Sequence, residues 1–425
     1  MEALAMTYLS RRSFLATAGV AAAIGGSLSG CSSSDDGAVH LELFQFKSEA
    51  INLFSQICQE FNEANPGIVV TQNFQADNIT SLRARLVKGD VPDLMTINGD
   101  YSYGALARTG VFYDFSSSSL LDGLNPSMAS ILNTLGTGGD GQTNGVAFAD
   151  NGSGIIYNKD IFEGAGVEPP RTWTELIEVC EELKAQGINP FYWATKDNWT
   201  GAPAFSSLSG SFLTDGVSAW YQRRWMIDGT TSFRELTPVF EKMWQVYQYG
   251  NEDKAALGYN DGNQGFAQGK GAMYWHGTYA IPAIRSYNPD INLGTFATPA
   301  DDAADTKVVS GVDVALTMGK DPAHPDECMR FFDYLMSQEN MSAYCSEQTA
   351  YPTLTTLKAD DPALEGLQPY FDNERLATYS DHNFPPAITL NAYLQQYLFN
   401  GNLDQLIATL DMQWDKVVKR INETA

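Results

Sequence analysis

Acidic side chains are the most abundant ionisable groups of this 425-residue chain, with 51 Asp and Glu against 26 Lys and Arg. Among so many acids some pair always falls within reach for glycoside hydrolysis, so their number identifies no reaction. No Ser sits in a G-x-S-x-G elbow, and neither H-E-x-x-H nor a phosphate-binding loop is present. The His residues, at 40, 276, 324 and 382, are scattered, and no two Cys form C-x-x-C, so there is no zinc or cluster spacing and no cofactor is expected. What remains is binding chemistry. Asp313 stands between Val312 and Val314 after Gly311, and an acid inside an apolar, strand-like run needs a polar partner. Lys47 follows the strand-like stretch 41–46, and Asn98 ends the apolar strand-like stretch 94–97, with Gly99 permitting close approach. Tyr379, Asp381 and His382 share a loop before Pro385-Pro386, which cannot continue a helix. Such side chains hydrogen-bond a polar ligand, and burying them is tolerable when the ligand pairs them.

The elements that must carry these residues alternate strand and helix. The stretch 39–46 is strand-like, and Ile51, Phe54, Ile57, Cys58 and Phe61 recur at helical spacing until Asn65-Pro66-Gly67. A strand at 68–74, a helix at 79–87 closed by Gly89 and a strand at 94–97 complete a β-α-β-α-β run, which implies an open α/β sheet. Thr172-x-x-Glu175 is a capping box ahead of Trp173, Leu176, Ile177, Cys180 and Leu183. Cys328, Phe331, Phe332, Leu335 and Met336 form an apolar stripe, as do residues from Leu403 to Ile421. The Gly/Thr/Asp-rich stretches 136–143 and 301–306 read as exposed loops.

Composition narrows the partners. A net charge of −25 argues against nucleic acid and against docking on anionic lipid through a basic patch. Only 18% of residues are charged, while Phe, Trp and Tyr number 22, 8 and 20, a balance suited to neutral, polar, ring-shaped ligands. Residues 1–30 are an expected signal peptide: Arg11-Arg12, an apolar run 14–24, then small residues. Leu28-Ser29-Gly30-Cys31 resembles the lipobox of bacterial lipoproteins, which implies lipidation of Cys31 and a tether at 31–38. Ser10-Arg11-Arg12-Ser13-Phe14-Leu15 resembles the twin-arginine export consensus, and Met6 is an alternative start. Cys58, Cys180 and Cys328 fall on apolar helix faces as buried thiols, although an exported protein is free to form disulfides.

Four further motifs occur in order: Gly89-Asp90-Val91-Pro92-Asp93-Leu94; 152–160 leading to 170–176; 266–273; and Gly277. With the lipobox, they resemble the family 1 extracellular solute-binding proteins of ABC importers, over residues 39–425. Ser380-Asp381-His382-Asn383-Phe384-Pro385-Pro386 and Gly311-Val312-Asp313 are similar to the multiple-sugar and raffinose-type binding lipoproteins of Gram-positive bacteria. The resemblance implies a two-lobe α/β fold of the periplasmic-binding-protein type, with crossings near 148–153, 296–300 and 351–352. Lobe 1 would be 39–150 plus 300–350, and lobe 2 would be 151–299 plus 351–425. An oligosaccharide would sit between them, at the carboxyl ends of strands. Its partners would be the membrane permease subunits, and the protein would be a lipid-anchored monomer on the outer face of the cytoplasmic membrane.

In such a cleft Asp313, Asp381 and His382 would take sugar hydroxyls, Trp275 and Tyr379 would stack on a ring, and Lys47 and Asn98 would close from lobe 1. Asp150 and Asn151 would lie at the first crossing, as hinge or as contact. Trp220 and Trp225, near Arg223 and Arg224, would wall lobe 2 or pack within it. The ligand implied is α-1,6-linked galactose or glucose, of raffinose or isomaltose type. The alternatives are an extracellular glycoside hydrolase and a surface adhesion lipoprotein.

Overall fold

The computed structural model describes residues 37–136, 141–213 and 215–424; the signal segment, Cys31 and most of its tether lie outside them. Ten strands occur among the described residues: β1 (Val39–Gln45), β2 (Ile68–Phe74), β3 (Leu94–Ile97), β4 (Val146–Ser153), β5 (Ile155–Asn158), β6 (Met273–Tyr274), β7 (Leu293–Phe296), β8 (Val308–Thr317), β9 (Tyr351–Pro352) and β10 (Leu376–Ala377). The first three match the sequence reading to within a residue, because alternation and helix stops are local signals.

Seven strands form one sheet, in the order β2-β1-β3-β8-β4-β9 with β10 paired to β8. β1 is parallel to β2 and β3, while β8 is antiparallel to β3 and β4. All ten residues of β8 are buried, so Asp313 is carried into the molecule by the strand that packs most deeply. Helices Ile51–Ala64 and Pro325–Leu335 turn Phe54, Ile57, Phe61, Phe331 and Phe332 into a core shared with Leu43, Leu94 and Val314 of this sheet. A smaller antiparallel sheet, β6-β5-β7, begins one residue after the large sheet leaves off: β4 passes through Gly154 directly into β5. A Cβ at Gly154 would stand 2.5 Å from the Phe296 carbonyl oxygen, so only glycine lets the chain cross there.

A second core is mostly helical. Phe205, Trp220, Phe240, Leu394 and Trp414 come together from helices Ala202–Phe212, Val217–Trp225, Thr237–Tyr247, Leu390–Asn400 and Leu403–Thr424. The Thr172 capping box forms as expected, with both of its hydrogen bonds, and opens helix Trp173–Ala185. The architecture is thus α/β with two lobes, as the sequence implied. The described parts of the two loop stretches are exposed or half-buried except at their ends, and 137–140 lie outside the described residues: Thr143 is buried, its amide donating to Asp114 Oδ1 and its carbonyl accepting from the Phe115 amide, and so is Thr306, whose Oγ1 accepts from the Ala300 amide. Cys58, Cys180, Cys328 and Cys345 are free and buried.

Candidate ligand cleft

The cleft's polar floor is assembled from four chain segments. Lys47 lies just beyond β1, where its amide donates to Gln45 Oε1 at 2.7 Å and fixes the turn. Its ammonium donates to Asp313 Oδ2 at 2.7 Å and lies 3.4 Å from Glu49 Oε1. Burial alone would lower the Lys47 pKa, but the charges of Asp313 and Glu49 outweigh it and leave the pKa raised, so the ammonium keeps its proton. Asn151, on β4, donates to the other Asp313 oxygen at 3.3 Å. Tyr379 donates its hydroxyl to Asn151 Oδ1 at 2.6 Å and lies 2.9 Å from Ser153 Oγ. His382 stacks on the Tyr379 ring, with centroids 4.6 Å apart and planes 27° from parallel. That ring rests against Gly311, where a Cβ would stand 2.8 Å from it. A cavity of about 40 Å³ beside them is lined by Gly99, Gly311, Tyr379 and His382.

Asp381 opens a short 3-10 turn, Asp381–Asn383. Its amide donates to Ser206 Oγ at 3.1 Å, and the Ser206 hydroxyl donates to its carboxylate. Asp381, His382 and Asn383 all stay half-buried, with atoms left to meet a ligand. Asn98 is half-buried too, its amide 3.3 Å from Asp100 Oδ2. Asp100, and not Asn98, caps helix Tyr101–Arg108 through the Ser102 and Tyr103 amides.

Three expected contact residues are placed elsewhere. Trp275 is 2% exposed and packs between Phe191 and Trp193, with centroids 5.8 and 6.0 Å away. Trp220 is 1% exposed, packs on Tyr221 and Phe233, and donates to Glu235 Oε2 at 2.9 Å. Both belong to the helical core, which is the plainest destination for a large apolar ring. Asp150 is wholly buried beneath the floor. Ser310 Oγ approaches one of its oxygens at 3.3 Å and the other has no partner. Burial raises its pKa well above the usual range, against the Ser310 hydrogen bond and with help from nearby Asp313, which favours the neutral acid.

The sequence reading missed the aromatic wall. Trp199, Tyr259, His276 and Tyr279 form one cluster: Trp199 lies 4.8 Å from Tyr259 and 5.6 Å from His276, and His276 lies 6.2 Å from Tyr279. Trp199, Tyr259 and Tyr279 are half-buried, so they keep part of their surface for a partner. Burial pushes the Tyr259 hydroxyl up to about 12, and the loop that carries Tyr279 meets the floor at Gly277, where a Cβ would stand 3.1 Å from Ser153 Oγ. Burial drives His276 down to about 3, so it is neutral. The available signal was the loop His276-Gly277-Thr278-Tyr279, with a ring and a glycine just past a strand, four residues beyond Trp275.

Among the described residues no group of three or more His, Cys, Asp and Glu could hold a metal ion. A separate groove of about 550 Å³, lined by Tyr157, Lys159, Arg171 and Tyr370 among others, gathers none of the floor or wall residues. The floor therefore offers hydrogen-bonding groups of both kinds and the wall offers ring faces. This is equipment for holding a neutral polar molecule.

Two lobes that gather hydrogen-bonding groups and ring faces are equipped to bind a small polar solute. The chain belongs to the bacterial extracellular solute-binding protein family, whose model matches residues 48–342. These are extracellular binding proteins and not enzymes. The multiple sugar-binding protein of Streptococcus mutans is 29% identical over 320 residues, which is 74% of each chain. The melibiose/raffinose/stachyose-binding protein MelE of Bacillus subtilis is 24% identical over 342 residues, 78% of each. Among solved structures, RafE in complex with raffinose superposes with a TM-score of 0.75 at 24% identity, over 89% of this chain and 99% of that one. The apo form of RafE from Streptococcus pneumoniae gives 0.76 at the same identity, over 89% of this chain and 98% of that one. At these identities the superpositions establish the fold.

Proposed function

We propose that the protein is the lipid-anchored substrate-binding component of an ABC importer, and that it captures a neutral oligosaccharide between its lobes and delivers it to the permease. The observation that carries this reading is the floor joining Lys47, Asp313, Asn151 and Tyr379, with the Trp199–Tyr279 aromatic cluster reaching it through Gly277, where a Cβ would stand 3.1 Å from Ser153 Oγ. Hydroxyl-rich rings need charged and amide partners at their edges and aromatic surface on their faces. The sugar-binding names of the two relatives, melibiose and raffinose among them, support a ligand with an α-1,6-linked galactose or glucose. Lys47, Asn98, Asp313, Asp381 and His382 would hold its hydroxyls, and Tyr379 with the wall its ring faces. The lobes would divide near 150, 300 and 350, with β4 into β5 as one crossing.

Calorimetry with raffinose, melibiose, isomaltose, maltose and xylotriose tests the ligand. Heat with the α-1,6 sugars, and recovery of the sugar unchanged, is expected. Binding of β-linked chains alone would overturn the linkage, and no heat with any sugar would overturn the function. The anchor is tested by Cys31→Ala, which should release the protein from the membrane fraction or stop its processing.

A further inference from the structure

Just before β9 the backbone takes a conformation that threonine resists. Helix Gln338–Gln348 packs on the large sheet through Met341, Tyr344 and Cys345 and ends at Thr349, whose φ of +49° is left-handed. Helices Lys159–Ala165 and Leu390–Asn400 also end on a left-handed residue, but there it is glycine, Gly166 and Gly401. A β-branched residue in this conformation is an outlier that its surroundings must maintain, and such outliers gather at functional sites and switch regions. What threonine brings and glycine lacks is a hydroxyl. Buried Thr349 donates it to Asp361 Oδ2 at 3.4 Å.

Asp361 is fixed from the other side. Arg285 donates to both of its oxygens, to Oδ2 through Nη1 and to Oδ1 through Nη2 at 2.9 Å, and the Ala363 amide donates to Oδ1 at 2.8 Å. Arg285 lies on helix Ala280–Tyr287, which connects β6 to β7 of the small sheet, and the Ala363 carbonyl accepts from Thr295 Oγ1 of β7. The Thr349–Asp361 bond therefore ties the core of the large sheet to the small sheet. Its large-sheet end is joined to the cleft. Gln348 Nε2 donates to the Glu49 carbonyl at 3.3 Å, two residues from Lys47, and Tyr351 pairs with Asp150 of β4. A backbone rotation at Thr349 would disturb both contacts at once.

We propose that Thr349 and Asp361 form a latch at the β9 crossing, which holds the lobes near the separation of this structure and so raises ligand affinity without touching the ligand. Both are positioning residues, and Arg285 sets Asp361 in place. The affinity arm of the test rests on the oligosaccharide reading above; the scattering arm needs no sugar. Thr349→Gly keeps the left-handed turn and loses the donor, whereas Thr349→Asn tolerates the turn and keeps a donor. Small-angle scattering of the sugar-free protein should show a larger radius of gyration for Thr349→Gly and Asp361→Ala than for wild type. Calorimetry with raffinose should show both variants weakened about threefold to tenfold, because the binding-competent separation is less populated. Thr349→Asn should stay near wild type in both measurements. If Asp361→Ala fails to fold, the Gly and Asn variants at 349 carry the test alone. A sugar-free radius and an affinity both equal to wild type in Thr349→Gly, whatever its melting temperature, would overturn the latch and leave sugar binding standing. If wild type binds no sugar, the function proposed above fails, and the sugar-free radii still decide the latch.

Discussion

Asp313, proposed to hold a sugar hydroxyl, also holds its own surroundings together. Its carboxylate pairs with Lys47 and Asn151, and its side chain is 11% exposed. Breaking a buried pair leaves an uncompensated charge and is destabilising by about 3–5 kcal/mol. Asp313→Ala should therefore weaken sugar binding at least about tenfold and also lower the unfolding midpoint. Asp381→Ala should weaken binding by a similar factor with a smaller effect on stability, since its partner Ser206 is neutral. Exposed Asp360→Ala is the control and should change neither; calorimetry and urea unfolding on the three variants check this. Asp150 makes a pH-dependent prediction. Its folded pKa is raised, so its contribution is fully present below the unfolded carboxyl value of about 3.9 and is lost as pH rises towards the folded pKa. Wild type should then lose stability relative to Asp150→Asn between pH 4 and pH 8. A stability difference that stays constant over that interval would contradict a neutral Asp150.

At the scale of elements, caps and close approaches decide where the site-bearing segments lie. The Thr172 side chain accepts from the Glu175 amide, and Thr172→Ala should destabilise the fold by about 1 kcal/mol with sugar affinity unchanged. Gly366 is more demanding. A Cβ there would run into the Thr295 carbonyl oxygen of β7, and neither backbone can give way, because Thr295 Oγ1 is already bonded to the Ala363 carbonyl. Gly366→Ala should therefore prise the 362–372 segment from the small sheet and destabilise the protein well beyond the cap variant. A melting temperature within a degree or two of wild type would show that the contact is softer than its geometry implies.

For the whole molecule, the decisive property is the distance between lobes. Tyr101, beside the large sheet, stacks on Trp225 of the helical core, a contact that an opening motion would break. A ligand drives closure only by binding the closed state better. Small-angle scattering should show a smaller radius of gyration on adding the bound sugar. An unchanged radius alongside measured heat would mean that the cleft binds without closing.

Alternation, capping boxes and apolar stripes are short-range signals, so the strands at 39–45, 68–74 and 94–97, the Thr172 helix start and the α/β class were legible from the chain alone. The low charged fraction, the many aromatic rings and the order of the motifs likewise pointed to a binder of neutral solutes. Which side chain faces the cleft was not legible in the same way. Lys47 meets Asp313 across 266 residues, and Tyr379 meets Asn151 across 228, distances at which periodicity carries no information. Trp275 and Tyr279 both follow the same short strand, and the sequence favoured the larger ring. The helical core claimed Trp275 because Phe191 and Trp193 pack against it, leaving Tyr279 half-exposed in the wall. Asp150 was expected at a crossing, as hinge or contact, and it is buried by β8, whose position beside β4 is set by packing between distant segments and not by any local signal.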